Sequence, residues 1–446
     1  MVPVNTVLSG FLATPGMGVG INDREGVTAG TSYTRTYTFV RSDGSGITKT
    51  YNLSWVSNDG TFSSAGSISL PKNKPVTLDV NINPTTSGAH SAILNLDDPS
   101  SPGVEYQTMN VVVAADQFTA PNYSVTKSGT LGPGQFATYF FNVPAGTPAL
   151  KVDLAGGGGA GAGAIRFLRW HPYGLGIDSN AVNNCYNGAV GGCTTGSATS
   201  RTTANPQPGV WEVSVDARRN SDAVSAPYML TVSILGASVS PNPDVIASAS
   251  IGVPVARSYT ITNLFGDFTG RAVGTTLGSA YLATPSIANL AQQTFDVTVA
   301  GGSTSLRATI GSPSDPAADL DLFVYNCTTG TCVLTGQSAD GDSEESVTIN
   351  NPAAGLWRVL VDGFSVPAGT TTYNYVDVFA NPAFGAVSIT DANALRPAGS
   401  TWTVPGAVTV NAAPEAGRVL LGNVQVRTDT NTLIGIGDVI VQSVTP

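Results

Sequence analysis

Apolar and polar residues alternate with a period of two along most of this chain. Tyr33, Tyr37 and Phe39 alternate with threonines, and Val76 to Ile82 repeats the pattern. Because successive side chains of a strand point to opposite faces, such runs predict strands with one face in a core. Turn residues separate the runs. The pattern therefore predicts an all-β fold made of several β-sandwich domains in a row, one of them inserted in another.

One stretch of turn and strand occurs twice at identical spacing. Residues 205–216 read Asn-Pro-x-x-Gly-x-Trp-x-Val-x-Val-Asp, and residues 351–362 repeat this, each position 146 residues after its counterpart, as 351 follows 205. Asn-Pro starts a turn, Gly supplies backbone freedom, and the Trp and Val residues alternate onto one face. A register match of this length predicts a duplicated β unit.

A second repetition surrounds the later copy of this unit. The stretch 257–261 echoes 35–39, and the residues from Val410 and Val424 echo those from Val80 and Leu94, both 330 residues earlier. The simplest interpretation is a second sandwich of the first type that is split by an inserted domain, since insertion at an exposed loop is tolerated. The alternative is four domains in series.

These repeats predict the following division of the chain. We expect a tether at 1–18, a sandwich at 19–115, a first Trp unit at 116–237, a second sandwich formed by 238–282 plus 387–446, and an inserted second Trp unit at 283–386.

Composition narrows the class of protein. Charged residues are 11%, against roughly 25% in an average soluble protein, and Gly and Pro number 51 and 28. This profile is typical of a turn-rich extracellular protein. The net charge of −10 argues against a nucleic-acid partner, which needs a basic face, and no apolar run is long enough to span a membrane. No signal peptide is visible at the start, so we expect a fragment of a longer secreted chain.

The four cysteines form two local pairs upstream of the two Trp strands. Cys185 and Cys193 belong to the first copy, and Cys327 and Cys332 belong to the second. Loops of this size can close as disulfides in an oxidising compartment, so we predict two local disulfides. Free thiols or a four-thiolate zinc site are the alternatives, although the tight spacing that zinc prefers is absent.

Acidic residues cluster in the second Trp unit, on a strand and on a loop beyond the cysteines. Calcium takes six to eight hard oxygen ligands, and clustered carboxylates on loops supply them. The first copy has Arg166 where Asp321 would fall, so a metal is expected in the second copy alone. A solvated acidic rim is the alternative. The candidate calcium ligands are Asp315, Asp319, Asp321, Asp340, Asp342 and Glu344.

The sequence offers little for catalysis. A serine-protease triad needs Ser, His and an acid, but the histidines, His90 and His171, do not neighbour a nucleophile motif. We interpret both as surface residues and predict no catalytic residue. Trp170, His171 and Tyr173 could instead form a weak ligand platform for sugars or peptides, or pack under a loop.

Two motifs carry a resemblance to known families. Residues 319–325, Asp-Leu-Asp-Leu-Phe-Val-Tyr, and the repeated Trp turn resemble the bacterial pre-peptidase C-terminal (PPC) domain, a jelly-roll-like sandwich. Residues 19–115 look like the fibronectin-type-III-like domain that follows the catalytic domain of subtilisin-like serine peptidases. The chain is thus similar to the C-terminal region of a secreted actinobacterial subtilisin-family peptidase.

This resemblance implies a parent enzyme whose triad lies upstream, secretion or display at the cell surface, and calcium. It implies a non-catalytic accessory region that stabilises and spaces the catalytic domain of the same chain and that binds protein substrate or a cell-wall polymer. A free-standing extracellular adhesin or carbohydrate- or protein-binding module is the alternative, and a hydrolase in its own right is a third reading.

Overall fold

A computed structural model describes residues 2–5, 20–157, 161–178 and 199–446 of the chain. The chain divides into two compact units, Met1–Leu235 and Gly236–Pro446. Strands form nearly all of the regular structure among the described residues, and a short 3₁₀ helix lies at Pro382–Phe384. The predicted all-β, multi-sandwich fold is confirmed. None of the described helices is long and apolar enough to cross a membrane.

The first unit begins with a sandwich of two sheets. The sheets have the strand orders β1-β3-β7-β5 and β2-β9-β8-β4-β6. Inward residues such as Tyr37, Phe39, Leu70 and Val80 are almost fully buried between them, each contributing about 1.5–3 kcal/mol of burial free energy. The strands of this first sandwich are β1 (Val2–Asn5), β2 (Asn22–Val27), β3 (Tyr33–Val40), β4 (Lys49–Val56), β5 (Phe62–Ser64), β6 (Ser67–Leu70), β7 (Pro75–Ile82), β8 (Gly88–Asp97) and β9 (Tyr106–Ala114).

The predicted tether at 1–18 overlaps the first sandwich. Residues 2–5 form β1 and pair antiparallel with residues 37–40 of β3, and residues 6–19 lie outside the described part of the chain. The Gly and Pro content that suggested a tether belongs mostly to those later residues. The backbone of 2–5 therefore extends a sheet of the sandwich.

The first Trp module completes the first unit. Its sheets have the orders β10-β12-β16-β14 and β11-β17-β13-β15. Its strands are β10 (Asp116–Gln117), β11 (Ser124–Leu131), β12 (Phe136–Val143), β13 (Ala149–Ala155), β14 (Ile165–Trp170), β15 (Ser200–Ala204), β16 (Gly209–Ala217) and β17 (Ala226–Leu235).

We propose that the second unit contains a second sandwich, which is split along the chain, and a second Trp module. The sandwich is made of β18 (Ala237–Ser240), β19 (Asp244–Ile246), β20 (Ala249–Ser250), β21 (Val255–Asn263), β22 (Phe268–Gly274), β33 (Gly385–Ile389), β34 (Ala394–Arg396), β35 (Thr401–Val410), β36 (Val419–Thr428), β37 (Leu433–Val441) and β38 (Val444–Thr445). The Trp module is made of β23 (Gly278–Ala283), β24 (Ser286–Ala288), β25 (Gln292–Val299), β26 (Ser305–Gly311), β27 (Asp319–Asn326), β28 (Val333–Ser338), β29 (Ser346–Asn350), β30 (Gly355–Ser365), β31 (Thr370–Thr372) and β32 (Asn374–Ala380).

The two Trp strands, β16 and β30, occupy matching places. Trp211 and Trp357 are buried to 0% and 2% exposure. The indole Nε1 of Trp211 donates to the carbonyl of Gln207 at 2.7 Å, and that of Trp357 donates to the carbonyl of Ala353 at 2.9 Å. Each donor thus binds the carbonyl four residues before it. The predicted duplication is therefore visible in the packing and hydrogen bonding as well as in the sequence.

The turns that lead into the two Trp strands also agree. Asn205 and Asn351 have φ of 45° and 47°, and Gly209 and Gly355 have φ of 120° and 125°. Asparagine tolerates the left-handed region better than most residues, and glycine adopts it without a steric penalty. The repeated Asn and Gly are therefore required by backbone conformation.

The second sandwich repeats the sheet order of the first. Its order β18-β21-β35-β33 matches β1-β3-β7-β5, and β19 runs parallel to β37 as β2 runs parallel to β9. Strands from residues 237–263 and 385–410 thus share a sheet, with the second Trp module between β22 and β33 in the chain. The split-domain division remains our proposal, which this pairing supports. In addition, β23 pairs with β36, joining sandwich and Trp module in one nine-stranded sheet.

The register of the second sandwich differs from the repeat offset expected at Val410. Val80 pairs with Arg35, and Gly406 pairs with Arg257. If Arg35 and Arg257 are equivalent, the counterpart of Val80 is Gly406, 326 residues later (406 − 80), and not Val410. A shift of four residues keeps every side chain on the same face, so alternation alone cannot detect it.

Candidate functional site

The outer face of β27 presents carboxylates at the start of the strand. Leu320 and Leu322 point into the core at 0% exposure, so the alternating Asp319 and Asp321 lie on the opposite, half-buried face. Asp321 pairs in register with Asp362 of β30. Two carboxylates therefore face each other across neighbouring strands, an arrangement that is unfavourable unless a cation or a proton compensates it.

The loop between β28 and β29 brings further carboxylates to this place. Ligand oxygens of Asp340, Asp342 and Glu345 lie within 4.8 Å of one another. Glu345 is 1% exposed; one of its oxygens accepts the backbone N–H of Asp340 at 3.0 Å, and the other accepts the Ser338 hydroxyl. Asp342 accepts the backbone N–H of Glu344 at 2.8 Å. The loop is therefore held by its own carboxylates, which converge on one point.

The pKa values of the two strand carboxylates, Asp319 and Asp321, also indicate a concentration of negative charge. Burial raises the pKa of Asp319, and the charges of Asp340 and Asp342 raise it further. Burial also raises the pKa of Asp321, as do several neighbouring carboxylates, of which Asp319 and Asp362 act most strongly. One oxygen of Asp319 is buried without a hydrogen-bond partner. The negative charge that is concentrated here favours a bound cation. We call these carboxylates the acidic cluster: Asp319, Asp321, Asp340, Asp342, Glu345 and Asp362.

The first Trp module shows what fills the matching position there. Arg166 of β14 pairs in register with Asp216 of β16, as Asp321 pairs with Asp362. The Arg166 guanidinium binds Asp216 through two hydrogen bonds, Nε to Oδ1 at 2.7 Å and Nη2 to Oδ2 at 2.8 Å. The first copy thus carries its own cation where the second copy presents a second carboxylate.

The predicted ligand set is only partly brought together. Asp319, Asp321, Asp340 and Asp342 contribute to the acidic cluster, as described above. Asp315 instead accepts the backbone N–H groups of Ala317 at 3.1 Å and Ala368 at 2.9 Å. Glu344 accepts the backbone N–H of Ser312 at 3.2 Å. These last two carboxylates are engaged in holding neighbouring loops.

Sequence reasoning left two members of the acidic cluster out of the ligand set. Glu345 follows the predicted Glu344 directly, and Asp362 closes the repeated Trp motif. Asp362 did carry a sequence signal, because an aspartate closes the repeated motif in both copies, at Asp216 and at Asp362. Which of two adjacent glutamates turns inward depends on the loop backbone, which the sequence pattern does not specify.

The donor set fits calcium. All candidate ligand atoms are hard carboxylate oxygens, and Ca²⁺ binds such oxygens at about 2.3–2.6 Å. Oxygens that bind one ion must therefore lie within roughly 5 Å of one another, and ligand oxygens of Asp340, Asp342 and Glu345 lie within 4.8 Å of one another. Neither thiolate nor imidazole belongs to the described cluster, so zinc and copper are less well matched.

One of the two predicted disulfides lies within the described residues. Cys327 and Cys332 are bonded and close the turn between β27 and β28. Cys185 and Cys193 lie outside the described part of the chain, and their pairing stays a prediction.

Both histidines were predicted to be surface residues, but His90 is buried and His171 is half-buried. His90 is 5% exposed; its Nδ1 lies 2.6 Å from Asp59, and its Nε2 lies 2.8 Å from the carbonyl oxygen of Thr86. The ring of His171 packs on Trp211 with centroids 5.0 Å apart. In the described part of the chain neither imidazole hydrogen-bonds a serine hydroxyl.

The structure does not place the three residues of the predicted ligand platform, Trp170, His171 and Tyr173, on one surface. Trp170 lines an open groove of about 590 Å³ on the first Trp module together with Phe136 and Arg219. Phe136 and Tyr173 are 71% and 74% exposed, whereas His171 packs against the core. The exposed groove thus contains Trp170 and Phe136 rather than the Trp-His-Tyr set.

Two stretches of the chain match known domain families. Residues 1–114 match the model described as an Ig-like domain in actinomycete serine proteases, and residues 291–363 match the bacterial pre-peptidase C-terminal domain. The chain therefore carries β-sandwich domains of the kinds expected from the sequence, the first typical of actinomycete serine proteases, and the predicted resemblance is confirmed.

Individual relatives can also be named. Pyrolysin from Pyrococcus furiosus is 24% identical over 322 residues, which cover 70% of this chain and 21% of pyrolysin. The chain thus spans about a fifth of that relative. Among solved structures, tripeptidyl peptidase 2 aligns over 96% of this chain and 39% of its own at 11% identity and a TM-score of 0.46. The secreted serine protease VesC from Vibrio cholerae aligns over 48% of this chain and 50% of its own at 14% identity and a TM-score of 0.26.

Proposed function

We propose that this chain is a non-catalytic accessory region of a larger secreted serine peptidase of the subtilisin family. The observation that carries the proposal is the pair of family matches, at residues 1–114 and 291–363, within an all-β chain. The contacts of the histidines support it, because the His90 imidazole is hydrogen-bonded to Asp59 and Thr86 and the His171 ring packs on Trp211. In this role the region stabilises the catalytic domain of the same polypeptide and holds it at a distance from the surface to which the region binds.

Two activity measurements test this role. The purified chain should not hydrolyse labelled casein, and turnover that a serine-protease inhibitor abolishes would contradict the proposal. In the full-length peptidase, deletion of this region should shorten the half-life of activity at elevated temperature while leaving kcat/KM for a short peptide unchanged. An unchanged half-life would contradict the stabilising role.

We further propose that the acidic cluster of the second Trp module binds one calcium ion. Asp340, Asp342 and Glu345 would hold the ion from the loop, with Asp319 and Asp321 next to it on β27. The ion would neutralise the facing carboxylates of Asp321 and Asp362. At the matching place in the first module, Arg166 neutralises Asp216. Bound calcium would therefore tie the loop to β27 and raise the stability of the second unit.

Calorimetric titration of calcium into metal-free protein tests this proposal. Wild-type protein should bind one ion per chain, and calcium at about a hundred times its Kd should stabilise the folded state by about 2.7 kcal/mol. Asp340→Asn and Asp342→Asn should remove most of the binding heat. Asp296→Asn is the matched control, because Asp296 is an exposed carboxylate of the same unit that pairs with Arg358. Equal binding by all variants would contradict the site.

A second candidate function is polymer binding by the Trp170 groove. Exposed aromatic rings beside polar and charged side chains are typical of surfaces that bind sugars or extended peptides, and Phe136 is exposed next to Trp170. Pull-down on insoluble chitin, collagen and cell wall tests it. Retention that Trp170→Ala and Phe136→Ala abolish would establish this function, and Tyr173→Ala is the exposed aromatic control outside the groove.

A further inference from the structure

The nine-stranded sheet of the second unit carries a polar groove on its outer face. Two cavities of about 530 and 520 Å³ lie side by side and share Gln425 and Arg427 as lining residues. One extends to Arg307 on the Trp module, and the other extends to Arg271 on the sandwich. The two cavities lie on one sheet because β23 pairs with β36 and thereby joins the two modules, and we treat them together as one groove.

The charge of this groove is opposite to that of the whole chain. Among the described residues that line the two cavities, the basic ones are Arg271, Arg307 and Arg427, and the acidic one is Asp429. The chain as a whole has a net charge of −10. Three arginines in one groove therefore form a local positive region that attracts anions.

Two of these arginines face each other directly. Arg271 of β22 pairs in register with Arg427 of β36, and like charges directly opposite each other on neighbouring strands are destabilising. The Arg427 guanidinium donates to Gln425 and to the carbonyl of Asn431, both at 2.8 Å. The exposed guanidinium of Arg271 makes no side-chain hydrogen bond to another residue in the described part of the chain. An anion between the two guanidinium groups would relieve the repulsion.

The third arginine extends the positive region toward the Trp module. Burial raises the pKa of Asp438, and the charge of Arg307 opposes that effect. The Asp438 carboxylate also accepts the side-chain amide of Asn423 at 2.6 Å. The cavity that contains Arg307 is also lined by the side-chain amides of Asn423 and Gln425 and by threonine hydroxyls, which can hydrogen-bond the backbone of an extended ligand.

We infer that this groove binds an acidic, extended polypeptide segment through Arg271, Arg307 and Arg427. Guanidinium groups bind carboxylates in a two-point geometry, and the side chains of Asn423 and Gln425 can serve both peptide N–H and C=O groups. No aromatic ring lines the described groove, so it lacks the flat apolar surface on which sugar rings stack. The inference is independent of the calcium site and of attachment to a peptidase.

Fluorescence anisotropy with a labelled hexaglutamate peptide tests the inference. The titration is made in EDTA at low ionic strength, so that calcium cannot bridge the peptide to the acidic cluster. Wild-type protein should bind the peptide with an affinity that falls as salt is added. Arg271→Gln and Arg307→Gln should each weaken binding about tenfold. Arg358→Gln, which removes an exposed arginine outside the groove, should change binding less than about twofold.

Stability distinguishes a binding role from a structural one. Arg271→Gln removes the cross-strand repulsion, so its melting temperature should be equal to that of the wild type or higher by about 1–3 °C. Loss of affinity together with unchanged or raised stability supports the inference. Failure of wild type to bind hexaglutamate would overturn the inference, as would Arg271 and Arg307 variants that bind it as tightly as wild type. Tighter binding of hexagalacturonate than of hexaglutamate would also overturn it.

Discussion

Replacement of Asp321 by arginine should give the second Trp module the internal cation that the first one has. In the first module the Arg166 guanidinium makes two hydrogen bonds to Asp216 at 2.7 and 2.8 Å. Asp321 and Asp362 occupy the same paired positions. An arginine at position 321 would therefore meet the carboxylate of Asp362 and lie beside Asp319.

The magnitude follows from the exposure of the pair and from the charge removed. Arg166 and Asp216 are 14% and 25% exposed, and a partly buried two-point pair of this kind is expected to contribute about 1 kcal/mol. Removal of the repulsion between two carboxylates adds a comparable amount. In calcium-free buffer we expect Asp321→Arg to stabilise the second unit by about 2 kcal/mol, a rise in melting temperature of roughly 4–8 °C.

Differential scanning calorimetry measures the melting temperature both in EDTA and in excess calcium. Wild-type protein should gain stability on addition of calcium, and Asp321→Arg should be more stable than wild type in EDTA but gain nothing from calcium. Asp321→Asn is the control, since it removes one charge without supplying a cation and should lie between the two in EDTA. A full calcium response in Asp321→Arg, or a lower melting temperature than wild type in EDTA, would refute the reasoning.

Three further predictions concern the scaffold and the charge of the site. Trp211→Ala and Trp357→Ala should each destabilise their own unit by about 3–5 kcal/mol, measured by chemical denaturation, and a large effect in only one unit would argue against equivalent packing. Arg257→Met should cost about 3 kcal/mol, because it leaves a 1%-exposed aspartate without its guanidinium, whereas Arg358→Met, at an exposed pair, should cost under about 1 kcal/mol. The pKa of Asp321 is raised in the fold, so the folded state holds this proton more tightly than the unfolded state. The stability that it contributes is therefore present below the ordinary pKa of about 4 and is lost as pH rises through the raised pKa. In EDTA, the melting temperature of wild type relative to that of Asp321→Asn should therefore fall as pH rises, and in calcium this pH dependence should disappear. A relative melting temperature of wild type that rises with pH would contradict the sign.

The sequence predicted the repeated strand modules because their signals are local. The Asn and Gly of the turn before Trp211 recur before Trp357, and both turns need the left-handed backbone that these residues allow. Strand register is not a local property, because it depends on which residues of distant strands pair. The counterpart of Val80 was expected at Val410, but if Arg35 and Arg257 are equivalent, the strand pairing places it four residues earlier. An even shift leaves the inward and outward pattern intact.

The acidic site was predictable in its location but not in its full membership. Asp319 and Asp321 were identified from the acidic start of their strand, and Asp340 and Asp342 were identified from the acidic run of the loop. Glu345 is selected by a loop conformation that directs one of two adjacent glutamates inward. Such choices depend on backbone dihedral angles and on hydrogen bonds such as that from the Asp340 N–H to Glu345, which are set only when the loop folds.

The central claim is that the second Trp module uses a bound calcium ion where the first uses Arg166. A crystal structure of the wild-type chain grown in calcium tests it most directly, through the anomalous signal of the ion. We predict one peak within about 2.3–2.6 Å of carboxylate oxygens of Asp340, Asp342 and Glu345, and none beside Arg166. Absence of a peak at these three residues, or an equal peak in the first module, would contradict the account.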